Sequence, residues 1–375
     1  MKKATDRRGF IQKALALTSG AIVLSKTGFS LNRVDKPVKP MIKNIKPLGF
    51  QWETQDPFLF CVHHEDAFPK GNEKMGPATS LQGRDIGQDF ILKDGWRMYH
   101  GKTVPGFPGH PHRGFETITI VRKGMVDHSD SLGASGRYGN GDVQWMTAGK
   151  GVLHSEMFPL LNQDKDNPLE LFQIWLNLPR KNKLVEPHFS MLWNESLPKK
   201  TFIDVNGGKT RVEVVSGKLK NLQAPAPPPN SWAADPNNEV SIWNIRMEAN
   251  STWTLPKAKS GINRTLYFYQ GKELQIDDKK LPHYHSAEIE PDVDLVLKSG
   301  SDESYILLLQ GKPMNEPVVQ HGPFVMNNRQ EIQQAFKDYQ DTQFGGWPWK
   351  NSAPVHPRTR GRFAIHADGK KEFRS

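Results

Sequence analysis

Short apolar runs, separated by glycine, proline, aspartate and asparagine, recur along the chain from Phe58 onward and constrain the fold more than any other feature. A first series covers residues 58–63, 117–122, 141–146 and 169–177, and a second covers 201–205, 210–215, 240–246, 264–269, 294–297 and 304–310. Runs of this length and composition are typical of β-strands. Many short strands with frequent turns, which the 32 glycines and 28 prolines supply, predict an all-β protein of sandwich or barrel domains.

The chain of 375 residues is long enough for two domains, and the two series of strands meet at residues 179–200. We therefore expect an N-terminal domain over residues 46–180 and a C-terminal domain over 181–326, followed by a helix and a basic tail over 327–375. The helix is predicted near residues 331–339, with Asn327 or Asn328 as its N-cap. The basic tail after Trp349 is interpreted as a solvated, flexible end.

A proline-rich loop over residues 222–238 interrupts the second series of strands. Its sequence carries no strand signal and is typical of an extended, irregular connection. Two interpretations are open. The loop covers the mouth of a pocket, or it is an excursion over the surface, and the second is slightly favoured.

Residues 1–30 resemble an export signal, because a basic segment precedes an apolar stretch that is too short for an ordinary membrane span. The pair Arg7-Arg8, followed by Gly-Phe-Ile, is similar to a twin-arginine signal. This pattern predicts export to the periplasm by the twin-arginine machinery, with a linker over residues 31–45. An uncleaved membrane anchor and an ordinary amphipathic N-terminal helix are the alternatives.

The net charge of +10 is concentrated at the N-terminus, where residues 1–30 carry six lysines and arginines against one aspartate. The remaining chain is only mildly basic, so its charge does not indicate a nucleic-acid-binding protein. The single cysteine, Cys61, excludes an intramolecular disulfide and any zinc site with two or more cysteine ligands.

Two pairs of metal-ligand side chains are the most informative local motifs. His110 and His112 are one residue apart in the first pair, and His154 and Glu156 are one residue apart in the second. Residues i and i+2 of a strand point to the same face, so two strands can close a site with three histidines and one carboxylate. These ligands suit iron, manganese, nickel, copper or zinc, and an octahedral metal would keep two open positions.

The motifs around these ligands resemble the pirin family, whose members have two domains of the cupin type. The similar segments are Gly109–Thr117, Gly141–Gly151, His154–Met157, Gly311–Val319 and Gly322–Asn327, and the resemblance spans residues 45–350. It implies two cupin (jelly-roll β-barrel) domains, with one metal in the N-terminal domain.

The resemblance also implies the metal and its ligands. Iron, as Fe2+, is the expected metal, and His110, His112, His154 and Glu156 are the expected ligands. The general cupin pattern would nominate Glu116 in place of Glu156, so this ligand is the least settled. A second site at His283-Tyr-His285 is not expected. His64, which adjoins an apolar run, and the isolated histidines, including His128, are interpreted as surface or hydrogen-bonded residues.

The leading functional hypothesis is an iron-dependent dioxygenase that resembles pirin-type quercetinases and cleaves an aromatic substrate with O2. Glu156 would be a ligand and, if it dissociates, the catalytic base. Phe107, Phe115, Trp145 and Phe158 are candidate pocket residues, although core positions are more common for such side chains. A non-catalytic iron-binding, redox-sensing or interaction module, and another metalloenzyme on the same fold, are the alternatives. We expect a monomer.

Overall fold

The computed structural model describes residues 40–374, so the predicted signal over residues 1–30 and most of the predicted linker lie outside the described residues. The described part is mainly strand, with one α-helix, α1 (Arg329–Thr342). No helix within this part is long and apolar enough to cross a membrane. The prediction of an all-β protein is confirmed.

The strands follow one another at short intervals, as the punctuated sequence predicts. Those of the first part of the chain are β1 (Ile42–Pro47), β2 (Gln51–Trp52), β3 (Phe58–Phe68), β4 (Gly106–His112), β5 (Phe115–Lys123), β6 (Met125–Asp130), β7 (Ser135–Gly139), β8 (Val143–Thr147), β9 (Val152–Met157), β10 (Asn167–Asn177) and β11 (His188–Leu192). Those that follow are β12 (Lys199–Ile203), β13 (Lys209–Ser216), β14 (Lys218–Leu219), β15 (Leu222–Gln223), β16 (Ser241–Met247), β17 (Thr252–Leu255), β18 (Asn263–Gln270), β19 (Glu273–Ile276), β20 (Lys279–Pro282), β21 (His285–Ile289), β22 (Leu295–Ser299), β23 (Ser304–Gly311), β24 (Val319–His321), β25 (Phe324–Met326), β26 (Arg362–Ile365) and β27 (Lys371–Arg374).

The N-terminal half contains two six-stranded antiparallel sheets, with strand orders β11-β8-β5-β10-β3-β2 and β27-β26-β7-β6-β9-β4. Apolar side chains from both sheets form one buried cluster, which includes Phe68, Val121, Val126, Tyr138 and Leu171. Two sheets that share a core in this way form a β-sandwich of the jelly-roll type.

The C-terminal half repeats this plan with a seven-stranded sheet, β1-β21-β18-β23-β16-β13-β12, and a four-stranded sheet, β17-β22-β19-β20. Strand β1 pairs with β21, so residues Ile42–Pro47 belong to the sheet of the C-terminal half. The predicted linker over residues 31–45 is therefore wrong at its end, because the apolar Ile42 is buried in the core of that half.

A further apolar cluster joins the large sheets of the two halves. It contains Trp145 and Ile174 of the first large sheet together with Ile242 and Leu307 of the second. Burial of this contact removes apolar surface of both sheets from water, which stabilises the pair of halves as one body.

The basic tail is not a flexible end, and that prediction is wrong. Strand β26 pairs with β7 in the N-terminal half, and Phe363 and Ala364 are fully buried. The guanidinium of Arg358 donates to the carbonyl oxygens of Leu160 and Asn72. The tail therefore adds two strands to the edge of the second sheet of that half. Its apolar and hydrogen-bonding groups find their partners there, in residues that are distant in the sequence.

The predicted helix cap is confirmed, whereas the interpretation of the proline-rich loop is corrected. Asn328 is the N-cap of α1, and its side chain accepts a hydrogen bond from the Glu331 amide. The favoured interpretation of residues 222–238 as a surface excursion is wrong, because the loop lines a cavity and buries Ser231. It also contains the short strand β15 and two 3-10 turns.

Candidate metal centre

Strands β4 and β9 position the two predicted pairs of ligands. They are antiparallel neighbours, with His110 opposite His154 and Phe107 opposite Glu156. One extra residue of β4 between these two positions forms a β-bulge, and a bulge changes the direction in which the following side chains point. The alternation of each strand then places His110, His112 and His154 on one side of the sheet.

The three histidines form a compact group. Their ligand atoms all lie within 4.8 Å of one another. The ring centroid of His154 lies 4.4 Å from that of His110 and 4.9 Å from that of His112. No other group of three such side chains with this spacing occurs within residues 40–374.

The hydrogen bonds of these rings leave nitrogens free for a metal. The Nδ1 of His110 donates to the Pro108 carbonyl at 2.9 Å, which fixes the tautomer with a lone pair on Nε2. Both ring nitrogens of His154 and the Nδ1 of His112 are buried without a hydrogen-bond partner. Buried polar atoms are rarely left in this state unless a ligand, ion or water satisfies them.

Electrostatics keeps the three imidazoles neutral, as metal ligation requires. Burial lowers the pKa of His110 to about 4. Burial, together with repulsion from the neighbouring imidazoles, holds the pKa values of His112 and His154 well below the usual range. Three neutral imidazoles with free nitrogens fit a divalent transition metal, so the donor set agrees with the expected iron and with the other metals named above.

Glu156 lies beside the three histidines, and one of its oxygens is 3.8 Å from Nε2 of His154. Thr119 Oγ1 donates to one carboxylate oxygen at 3.0 Å, and Gln173 Nε2 donates to the other at 2.7 Å. Burial raises the pKa of Glu156, and these hydrogen bonds partly offset that effect. The structure brings Glu156 to the histidine group, and its role as a fourth ligand stays a prediction.

Glu116 occupies a different environment from the histidines. Its two oxygens accept hydrogen bonds from Thr147 Oγ1 at 2.6 Å and from Ser231 Oγ at 2.5 Å. Burial raises the pKa of this carboxyl group to about 7. The preceding residue, Phe115, packs against His112 instead, as alternation along β5 requires. Glu116 therefore links the N-terminal half to the proline-rich loop.

His128 is a neighbour of the centre that sequence analysis placed among the isolated histidines. It is fully buried, and its ring centroid lies 5.6 Å from that of His154. Its Nε2 lies 3.1 Å from an Asp130 oxygen, and its ring stacks on Phe189. The pairing of β6 with β9 brings it here, and no local sequence motif indicates that pairing.

A pocket of about 570 Å3 opens onto the histidine group. His110, His112 and Glu156 contribute to its lining. Its aromatic walls are formed by Phe50, Trp52, Phe60, Phe90, Phe107 and Trp175. Of the four aromatic candidates from the sequence, Phe107 lines the pocket, whereas Phe115, Trp145 and Phe158 are buried and do not line it.

A chain of hydrogen bonds fixes the orientation of His64 in this pocket. The Tyr99 hydroxyl donates to an Asp66 carboxylate oxygen at 2.5 Å, and Arg97 donates to the other oxygen at 3.2 Å. The same hydroxyl lies 2.8 Å from His64 Nδ1 and has no second proton, so it accepts from Nδ1–H. The lone pair of His64 is then on Nε2. Burial lowers the pKa of His64 to about 3, so this nitrogen remains a hydrogen-bond acceptor at neutral pH.

The second His-x-His motif does not form a comparable group. His283 Nδ1 lies 2.7 Å from the Gly271 carbonyl, and His285 Nδ1 lies 2.8 Å from the His283 carbonyl. Both side chains bond to backbone in the C-terminal half, His283 in an exposed turn and His285 at the start of β21. Neither belongs to a cluster of metal-ligand residues within the described chain.

The two jelly-roll halves, and the one cluster of metal-ligand histidines among residues 40–374, define a two-domain cupin protein with a candidate metal centre in its N-terminal half. The model of the pirin family matches residues 46–176, and the model of the pirin C-terminal cupin domain matches residues 242–345. The chain belongs to the pirin family.

Curated relatives support this assignment. Pirin of Mus musculus is 34% identical over 259 residues, which cover 68% of this chain and 82% of that protein. A Pseudomonas aeruginosa protein named "Putative quercetin 2,3-dioxygenase" is 36% identical over 241 residues, which cover 64% and 80% of the two chains. The crystal structure of quercetin 2,3-dioxygenase from Acinetobacter baumannii has a TM-score of 0.62 at 24% identity and covers 82% of this chain and 96% of that one. This structural similarity concerns the fold.

Proposed function

We propose that this protein is a metal-dependent dioxygenase that cleaves flavonols or related hydroxylated aromatic compounds, with Fe2+ held by His110, His112, His154 and Glu156. The observation that carries the proposal is a group of neutral imidazoles with free nitrogens in a pocket with aromatic walls. The name of the Pseudomonas aeruginosa relative supports the same class of substrate.

The proposed reaction needs no external reductant. One flavonol and one dioxygen give a ring-opened ester and carbon monoxide, so the electrons that reduce oxygen come from the substrate. Bound iron would supply open coordination positions for a substrate oxygen and for dioxygen. The protein has to bind the flat substrate, orient its hydroxyl groups and accept a proton.

Glu156 is the ligand that, once it dissociates from the metal, accepts the proton in this proposal. Its carboxylate lies in the pocket, and the hydrogen bonds from Thr119 and Gln173 hold its orientation. Burial raises its pKa, which makes the carboxylate a stronger base than an exposed glutamate. A substrate hydroxyl directed toward the histidine group would meet this carboxylate.

His64 orients a second substrate hydroxyl. Its Nε2 is a fixed acceptor because Tyr99 and Asp66 hold the opposite side of the ring. A fixed acceptor in an apolar pocket discriminates against an analogue that lacks the hydroxyl. The surrounding aromatic side chains pack on the faces of the substrate rings and exclude water.

The test is oxygen consumption by the purified, iron-loaded protein with quercetin, combined with measurement of bound iron. His112→Ala should lose iron and should reduce oxygen uptake at least 100-fold. His285→Ala, which removes the second histidine of the other His-x-His motif, is the matched control and should retain both. Iron bound at one equivalent with no uptake on any flavonol would contradict the proposal and favour a non-catalytic, redox-sensing module.

A further inference from the structure

A second large cavity, of about 890 Å3, lies in the C-terminal half, and we call it the C-terminal cavity. The proline-rich loop forms one wall with residues such as Ala226 and Pro227, and strands β16, β18 and β23 form another with Trp243, Arg264 and Gln310. This volume is within the range of small-molecule sites in proteins. The cavity belongs to the half of the molecule that has no histidine cluster among its described residues.

Arg264 is the unusual residue of this cavity, because it is a buried cation. Its side chain is 2% exposed, and one of its nitrogens donates to the Pro256 carbonyl at 2.8 Å. Its Nε is buried without a hydrogen-bond partner, and Arg264 forms no ion pair with a carboxylate in residues 40–374. A buried charge is costly unless it is paired and hydrogen-bonded.

The pKa of Arg264 reflects the lack of a carboxylate in contact with its guanidinium. Burial lowers its pKa to about 10, and the attraction of Glu239 and Asp294 offsets only part of that effect. The group is still charged at neutral pH. The carboxylate of Glu239 is itself in contact with Lys259 Nζ at 3.0 Å, so it is already neutralised by another cation.

Two more buried polar atoms in the cavity lack partners. They are the Nε1 donor of Trp243 and the Oε1 acceptor of Gln310, and both side chains are almost fully buried. The Arg264 guanidinium carbon lies 5.9 Å from the Trp243 ring, so the cation and the indole are close together. The residues Arg264, Trp243 and Gln310 all line this cavity, and an anion bound there would give the two unsatisfied donors, Arg264 and Trp243, a partner.

The remaining lining defines the rest of a ligand. Alanines and prolines of the loop make much of the wall apolar, and the exposed Lys218, Lys220 and Lys257 lie at the rim. The acidic side chain of Asp235 is occupied as the cap of a 3-10 turn, where it accepts from the Asn237 amide. The field at the mouth therefore favours an anion, whereas the walls favour an apolar body.

We infer that the C-terminal cavity binds an organic anion with an apolar body of the size of one or two fused rings, whose carboxylate accepts hydrogen bonds from the Arg264 guanidinium. A carboxylate matches the planar fork of arginine and can accept two parallel hydrogen bonds from it. Trp243 Nε1 is an additional donor for this carboxylate. The site is separate from the candidate metal centre and gives the proline-rich loop a function as its wall.

The test is isothermal titration calorimetry of the full-length, metal-loaded protein with 1-naphthoate and with its neutral analogue 1-naphthamide. The acid should bind at least tenfold more tightly than the amide. Arg264→Met should weaken 1-naphthoate binding at least tenfold and leave 1-naphthamide unchanged. Arg246→Met removes an exposed arginine of the same sheet and is the matched control. Equal affinities of acid and amide, or no detectable binding of the acid, would overturn the inference.

The metal-centre pocket is also apolar, so the two sites have to be separated. His112→Ala should keep the preference for the acid, because it changes only the metal centre. If His112→Ala loses the preference for the acid while Arg264→Met binds 1-naphthoate as tightly as the wild type, the acid binds in the metal-centre pocket. That result would overturn the inference. Ala226→Trp fills the mouth from the loop and leaves the core intact. It should reduce binding of the acid, even if Arg264→Met proves too unstable to measure.

Discussion

Replacement of Glu116 by glutamine should make the protein more stable at neutral and alkaline pH and should have little effect near pH 4.5. Glu116 is fully buried and has no cationic partner among its hydrogen bonds, which come from two hydroxyl groups. An ionised carboxylate is therefore unfavourable at this position. Glutamine has nearly the same shape, can accept from Thr147 and can donate to Ser231.

The size of this pH-dependent change in the free energy of unfolding follows from the difference between the pKa values of Glu116 in the folded and unfolded states. Burial raises the pKa of Glu116 from 4.5 to about 7. The folded state then holds the proton more tightly than the unfolded state. The stability of the wild type therefore falls as pH rises from 4.5 to about 7. At about 1.4 kcal/mol for each pKa unit, the loss between pH 4.5 and pH 8 is about 3 kcal/mol, and Glu116→Gln removes it.

The assay is urea unfolding of the metal-saturated wild type and variant at several pH values from 4.5 to 8. The stability difference, variant minus wild type, should rise by about 3 kcal/mol across this range, with the steepest change between pH 4.5 and 7. Glu65→Gln removes a carboxyl group at an exposed position and is the control for general charge effects. A difference that is constant with pH, or that falls, would refute the argument that burial dominates at Glu116.

Three further predictions concern the pocket, the tail and the N-terminus. His64→Phe should retain full iron content but should raise KM for quercetin at least fivefold, because the ring shape remains and the acceptor is lost; an unchanged KM would contradict the role of Nε2. Phe363→Ala should lower the free energy of unfolding by about 3–5 kcal/mol, as for other buried phenylalanines, whereas the exposed Phe373→Ala should change it by less than about 1 kcal/mol; similar values for both would show that the tail does not pack. Arg7→Lys combined with Arg8→Lys should hold the full-length protein in the cytoplasm, as fractionation would show, and unchanged export would remove the twin-arginine proposal.

The sequence by itself was sufficient for the fold class and for ten of the strands. Each apolar run of the two series overlaps a strand, because period-two burial and turn residues are local properties of the chain. The helix cap at Asn328 was predictable for the same reason. The grouping of His110, His112 and His154 also followed from local alternation, combined with the resemblance to one family.

Only the tertiary structure decided which distant segments meet. Strand β1 joins the C-terminal half and β26 joins the N-terminal half, and the basic composition of the tail did not indicate that its apolar residues are buried. Strand pairing, which no neighbouring residue encodes, places His128 beside the histidine group and His64 in the adjoining pocket. Strand pairing depends on which surfaces remain to be buried once the rest of the chain has folded, so a local pattern does not specify it.

The same distinction applies to the two carboxylates and to Arg264. Both Glu116 and Glu156 are ligand candidates in the sequence. Only the three-dimensional arrangement shows that Glu156 lies beside the histidines, while Glu116 binds Ser231 of a loop 115 residues away. Residue type and spacing determined which side chains can act as ligands or charges. Their burial and their partners, which set pKa values and binding, were determined by the packing of the whole chain.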